Sequence, residues 1–190
     1  MQRFPTIIFT CLLLIGQPSR AVIVNGTEIP GAILLQGTDT KLVLNGAGVR
    51  EKFFLDIYIG ALYLEKPVHD PAAILADTGP ASILMHFTYR EVSREKIIAG
   101  WTDGLQENLP AKAMQAIQPR LERFNNLFRT VVKGEVIRID YLPGHGTQVR
   151  INNELRGSIE GNEFFRDLLH VWLGPKPVSQ SLKRDMLGLD

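Results

Sequence analysis

The chain of 190 residues carries 21 Lys and Arg against 20 Asp and Glu, a formal net charge of +1. It therefore lacks the basic field that a nucleic-acid partner requires. Its composition, 45% hydrophobic and 22% charged, is that of a globular chain long enough to bury one core, and no charge run, low-complexity tract or internal repeat divides it.

The first residues stand apart. Met1-Gln2-Arg3 is a short basic start, Ile7 to Ile15 is apolar apart from Thr10, and Ser19-Arg20-Ala21 places small residues at the two positions a signal peptidase reads. The pattern predicts a signal peptide over residues 1–21, cut after Ala21, and one domain over 22–188. The expected destination is outside the cytoplasm, in a bacterial periplasm. The single cysteine, Cys11, falls inside that segment. The processed chain would then hold no disulfide, thiol nucleophile or thiolate metal site. The apolar run is too short to span a bilayer comfortably, so no integral membrane segment is expected after cleavage.

From Val22 to Gly31 the sequence reads as a strand with turns at Asn25-Gly26 and Pro30-Gly31. Lys41 to Leu44 is a short strand ending at Asn45-Gly46, and a long strand is expected from Arg50 to Leu64. Its parity places Phe53, Leu55, Ile57 and Ile59 on one face and Arg50, Lys52, Phe54, Asp56 and Tyr58 on the other. Gly60 marks a bulge or a close approach by another element. A short helix fits Ala72 to Leu75, and Ser82 to Thr88 alternates as a strand. Ser93 suits an N-cap for a helix carrying Ile97, Ile98, Trp101 and Leu105. Met114, Ile117, Leu121, Phe124 and Phe128 form a second helical stripe. Pro119 inside it predicts a kink or two abutting helices. Strands return at Glu135–Tyr141, Gln148–Ile151 and Leu155–Ile159, followed by a helix facing inward with Phe165, Leu168, Leu169 and Trp172. A last helix covers roughly Val178 to Leu187. Strands, helices, strands and helices in that order point to an α+β fold with antiparallel pairing and helices on one side.

Arg50 is the sharpest candidate for chemistry. Its guanidinium stays charged and can hold a carboxylate through two hydrogen bonds. Gly46 and Gly48 before it would let the backbone approach a ligand. Tyr58 shares its strand face, yet on a straight strand it would lie about 26 Å away at ~3.3 Å per residue. Both can serve one ligand only if the chain bends, and Lys52-Phe53 is the place for it. Phe54, Trp101, Phe124 and Trp172 are the candidate pocket wall. His69, His86, His145 and His170 have no metal-ligand spacing, so no metal is expected. Gly46-x-Gly48 lacks the third glycine and following helix of a dinucleotide site, so no cofactor is expected.

Leu44-Asn45-Gly46-Ala47-Gly48-Val49-Arg50, the run Tyr58 to Glu65, and the segment from Asn162 through Trp172-Leu173-Gly174 to Leu182-Lys183 together resemble the chalcone isomerase-like superfamily. The resemblance covers most of residues 40–188. It implies an open-faced β-sandwich, a large antiparallel sheet with helices packed on one side and a ligand cleft between. In the plant enzyme of that family an arginine, two threonines, a tyrosine and an asparagine surround the substrate. Here the arginine position is Arg50, and the first threonine position is Tyr58. The tyrosine position falls on Val92, the asparagine on the Ile98-Ala99 region and the late threonine on Val171. Of the polar set only the arginine is kept, which removes most of the parts for enolate stabilisation and proton delivery.

An arginine with a tyrosine in that position resembles instead the non-catalytic, fatty-acid-binding branch. The expected function is binding of a small apolar carboxylate, a fatty acid or similar, through Arg50 and Tyr58. An isomerase or intramolecular lyase acting on a chalcone-like phenolic or other conjugated ketone, with Arg50 catalytic, is the alternative. An envelope interaction protein with a vestigial cleft is the third reading.

Overall fold

The structure is a computed structural model that describes residues 20–189; the segment read as a signal peptide lies, but for its last two residues, outside them. Its centre is a seven-stranded antiparallel sheet in the order β11-β10-β9-β6-β5-β4-β3. In chain order these are β3 (Ala32–Leu34), β4 (Lys41–Lys52), β5 (Leu55–Leu64), β6 (Ala81–Phe87), β9 (Val136–Leu142), β10 (Gly146–Ile151) and β11 (Glu154–Ile159). A small hairpin, β1 (Val22–Val24) and β2 (Thr27–Ile29), precedes the sheet, and β7 (Glu91–Val92) pairs with β8 (Val131–Val132) beside it. The helices are α1 (Pro71–Ala76), α2 (Arg94–Asn108), α3 (Ala111–Asn125), α4 (Glu163–Leu173) and α5 (Gln180–Met186).

Strand alternation sorts the core into two layers. Leu62 and Leu64 of β5, Ile83, Met85 and Phe87 of β6, and Ile137 and Ile139 of β9 face the helices and form one cluster with Trp101, Phe124, Phe164 and Trp172. Ile59, Ala61 and Tyr63 of β5 and Leu84 of β6 face the other way and pack under Ile29 and Leu35. That second face also buries charge. Asp140 takes Ser82 Oγ at 2.7 Å and Arg138 Nε at 2.9 Å, with Arg150 Nε 3.8 Å away.

The expected single strand from Arg50 to Leu64 is two strands. β4 runs on through Asn45-Gly46 to Lys52, turns at Phe53-Phe54 and returns as β5. Both phenylalanines occupy the left-handed region, with φ of 51° and 63°. A two-residue hairpin turn demands that conformation because it matches the twist of the strands. Asn25-Gly26 meets the same demand cheaply in the β1–β2 turn. A phenylalanine there costs on the order of 1 kcal/mol more than glycine. Straight-strand parity therefore fails beyond Lys52, and the distance between Arg50 and Tyr58 collapses.

Two bulges set which side chains face the helices. The first leaves Asn45 without a partner on β5, so that Leu44 pairs with Tyr63 and Gly46 with Leu62. Gly46, Gly48 and Arg50 thereby share the helix face. Asn45, itself buried, donates Nδ2 to Met186 O at 2.8 Å and accepts Val68 N at 2.7 Å. The second bulge leaves Ile57 unpaired between the Arg50–Tyr58 and Glu51–Asp56 pairs.

α5 lies against the stripe that the first bulge creates. A Cβ at Gly46 would overlap Asp185 O and come within 2.9 Å of Gly188 N and Met186 O, and one at Gly48 would overlap the Asp185 side chain. At Gly60 it would meet the Leu182 methyls at 3.2 and 3.3 Å. These glycines admit a helix; the expected role of Gly46 and Gly48 in approaching a ligand is not where the structure puts them. Gly60 marks the close approach and not a bulge.

α3 is one helix with Pro119 inside it. Pro119 and Gln115, whose carbonyl loses its partner, are both exposed, so water can satisfy what the ring removes.

Candidate ligand cleft

Beyond the stretch covered by α5, the helix face of β4 and β5 lies open. Arg50 and Tyr58 are direct partners in the β4–β5 ladder, so their Cβ atoms are about 4.5–5.5 Å apart. They line a cleft of about 420 Å³, within the range of roughly 300–1,000 Å³ usual for small-molecule sites. α2 forms the far wall with Ile97, Ala99, Gly100 and Trp101, while Ile57, Met85 and Phe87 form the floor. Val171 of α4 and Val178 close one side. Ser93 caps α2, and Arg94 anchors its first turn to the end of α3 through Phe128 O at 3.2 Å and Asn125 O at 3.1 Å. The wall is thus held in place from behind.

Tyr58 is buried and its hydroxyl accepts a hydrogen bond from Trp172 Nε1 at 3.0 Å. Its ring packs on Phe87 with centroids 5.7 Å apart. Burial pushes the phenol up to about 12, against the lowering pull of the Trp172 hydrogen bond and the Arg50 charge. The phenol is therefore neutral at physiological pH. With its oxygen already accepting from Trp172, its proton is the group left to offer. Arg50 donates Nη1 to its neighbour's carbonyl, Glu51 O, which leaves the other donors of the fork for a ligand. A fixed cation beside a neutral O–H donor can hold an anion. A general base is not among these two groups, because the guanidinium does not deprotonate and the phenol resists it.

The other residues expected in the wall fall in three places. Trp101 lines the cleft, and its Nε1 is buried with no acceptor among the described residues. Phe124 and Trp172 stand behind it, at centroid distances of 5.9 Å each. Phe54 does not wall the cleft: it is 100% exposed at the hairpin tip. The turn ejects it from the strand face that it would share with Arg50 on a straight chain.

Sequence reasoning missed the polar mouth. Lys52, Tyr89, Glu91, Lys96 and Asp103 also border the cleft. Lys52 carried a signal, since it shares parity with Arg50 on β4. Tyr89 carried none, because it lies in the loop after β6. Among the described residues no three His, Cys, Asp or Glu side chains are grouped to hold a metal ion.

A family profile described as chalcone isomerase-like matches residues 21–188. The chain belongs to the chalcone isomerase-like family. No curated protein matches its sequence. Among solved structures it is similar to a fatty-acid binding protein of Arabidopsis thaliana, with a TM-score of 0.65 and 18% identity, over 88% of this chain and 96% of that one. At that identity the likeness shows the fold: the large antiparallel sheet with helices on one side is that of the family.

Within this chalcone isomerase-like fold, the positions where the resemblance implies tyrosine, asparagine and threonine are occupied by Val92, the Ile98-Ala99 region and Val171. Val92, Ala99 and Val171 all line the cleft. These positions are apolar surface where the resemblance implies donors.

Proposed function

We propose that this chalcone isomerase-like protein binds a small apolar carboxylate of the fatty-acid class, without turning it over. The observation that carries the reading is the Arg50–Tyr58 cross-strand pair in the lining of an otherwise largely apolar cleft. A carboxylate drawn out of water needs a paired cation and hydrogen-bond donors, and its tail needs only apolar volume. The guanidinium supplies charge, the Tyr58 hydroxyl a proton, and Ile57, Met85, Phe87, Ile97 and Trp101 supply the wall. A structural neighbour named as a fatty-acid binding protein supports the same ligand class. Ring closure of a conjugated ketone is the weaker reading, because Val92, Ala99 and Val171 leave the cleft without the water-organising side chains it needs.

We further propose that residues 1–21 direct export and are removed. Support comes from the basic start, the short apolar run and the small residues before Val22. N-terminal sequencing of the protein recovered from a periplasmic extract tests this; a chain still beginning at Met1 refutes it.

Calorimetric titration with dodecanoate and hexadecanoate tests the ligand. Wild type should bind, and Arg50→Ala should bind more weakly by about 1.5–3 kcal/mol, the usual worth of a charge-assisted contact, or roughly 10- to 150-fold. Equal affinities, or no binding by wild type, would refute the reading.

A further inference from the structure

The β4–β5 turn places three consecutive apolar side chains in water. Phe53 is 83% exposed, Phe54 100% and Leu55 46%. Nothing in the turn's geometry asks for them, since asparagine and glycine fit that backbone better. We propose that this tip inserts into the surface of a lipid bilayer, with Phe53, Phe54 and Leu55 as the wedge.

Three observations select a bilayer as the occupant. The first is area. Two rings and a leucine side chain offer roughly 400–500 Å², short of the ~800 Å² per partner of a stable protein–protein interface. Insertion into lipid has no such threshold, because each side chain partitions on its own account. The second is the charge pattern. Lys52 Nζ lies 5.8 Å from the centre of the Phe53 ring. The ammonium can stay at phosphate level on its flexible stem while the ring beside it enters the acyl boundary. Arg50 stands behind it, and Glu51 and Asp56 balance the two cations, with Asp56 also accepting Asn25 Nδ2 at 2.7 Å. The wedge therefore works on zwitterionic lipid and does not depend on an anionic surface.

The third is continuity with the cleft. Arg50, Lys52, Phe53 and Leu55 belong both to the tip and to the cleft mouth. A lipid-soluble carboxylate could pass from bilayer to cleft with its tail against apolar side chains throughout. This purpose rests on the carboxylate reading above, whereas the insertion itself does not.

Co-sedimentation with sucrose-loaded phosphatidylcholine vesicles, with and without phosphatidylglycerol, tests the proposal. Wild type should pellet with both. Phe54→Gly should lower the partition coefficient at least tenfold, and Phe53→Asn with Phe54→Gly should lower it further. Leu155→Ser, which removes an exposed leucine on β11, should leave it unchanged. Because glycine relaxes the turn, the thermal midpoint of Phe54→Gly should equal or exceed that of wild type, which separates lost docking from lost folding. Wild type remaining in the supernatant, or Phe54→Gly pelleting equally, overturns the proposal. So does a tip-dependent dimer in sedimentation velocity without vesicle binding. Dodecanoate titration in vesicle-free buffer keeps the two readings apart. If wild type does not bind dodecanoate yet pellets through its tip, the carboxylate reading falls and the docking stands.

Discussion

Replacing Gly46 by alanine asks what the glycines of β4 are for. On an unobstructed strand the change should stabilise by roughly 0.5–1 kcal/mol, since alanine has less backbone freedom to lose on folding. Here the new methyl would sit 2.9 Å from Gly188 N and Met186 O and would overlap Asp185 O. All three are backbone atoms, so no rotamer change relieves the contact, and the end of α5 must lift. Asn45 is tied to the same turn through Met186 O at 2.8 Å, and Leu182 and Met186 beneath it are 0% exposed. Overpacking alone costs about 1–3 kcal/mol, and uncovering one of those side chains adds about 1.5–3 kcal/mol. The expected loss is about 2.5–6 kcal/mol, or a fall of roughly 5–24 °C in the thermal midpoint of a domain this size. Gly48→Ala should cost a similar amount, because its methyl would overlap Asp185 Cβ, which moves only with the backbone of α5, and Gly60→Ala least, since it meets only the Leu182 methyls. Urea unfolding followed by tryptophan fluorescence measures the series, and dodecanoate titration is run on whatever remains folded. A loss below about 1 kcal/mol for Gly46→Ala, on the overpacking scale above, would refute the argument. So would weakened ligand binding at an unchanged urea midpoint, which would return the glycines to the ligand.

Tyr58→Phe should leave Trp172 Nε1 buried without its acceptor and cost about 1–3 kcal/mol at neutral pH; a variant as stable as wild type would contradict the hydrogen bond. The same residue sets an alkaline limit. Its folded phenol titrates at about 12 against an ordinary 10.0, so the stability of the neutral form is whole below pH 10 and is lost as pH rises through 12. The urea midpoint should fall across that window, less steeply in Tyr58→Phe, while Tyr63, also raised by burial, contributes to what remains. At the acid end, Glu135 receives Arg129 through both terminal nitrogens, Val132 N and Asn152 Nδ2, and is held down to about 2 from 4.5. Its contribution is present above pH 4.5 and lost as pH falls through 2, so Glu135→Gln should flatten the acid limb of the stability profile modestly, as expected of a pair near the surface.

Much of the architecture was legible because its signals are local. Alternation located β6, turn residues bounded β9, β10 and β11, and Ser93 marked the start of α2. Asn25-Gly26 announced its turn through residues that tolerate positive φ. Phe53-Phe54 makes the same type of turn from residues that favour strands, so the sequence there reads as unbroken β structure. That one substitution of turn chemistry produced the largest error of register and put Phe54 in the wrong place. Arg50 and Tyr58 could be picked out by residue type, and a bend at Lys52-Phe53 was the condition for their serving one ligand; the chain turns one residue on, at Phe53-Phe54. The purpose of Gly46 and Gly48 was invisible for a different reason. What presses on them is a helix far along the chain, and no local pattern records a distant backbone.

That distance also sets the timing of synthesis. Asn45 and Met186 are 141 positions apart, and a ribosome adding about 5–20 residues per second needs roughly 7–30 s to make the interval. The β4–β5 hairpin can close within microseconds of emerging. It must then wait with a bare strip of backbone where Gly46, Gly48 and Gly60 offer no side chain to shield it. Nothing upstream can substitute, since the strip fits a helix that does not yet exist. A chain halted before Ser179 would therefore hold the β4–β5 hairpin with Gly46, Gly48 and Gly60 uncovered, because α5 and the turn after it are what pack against them.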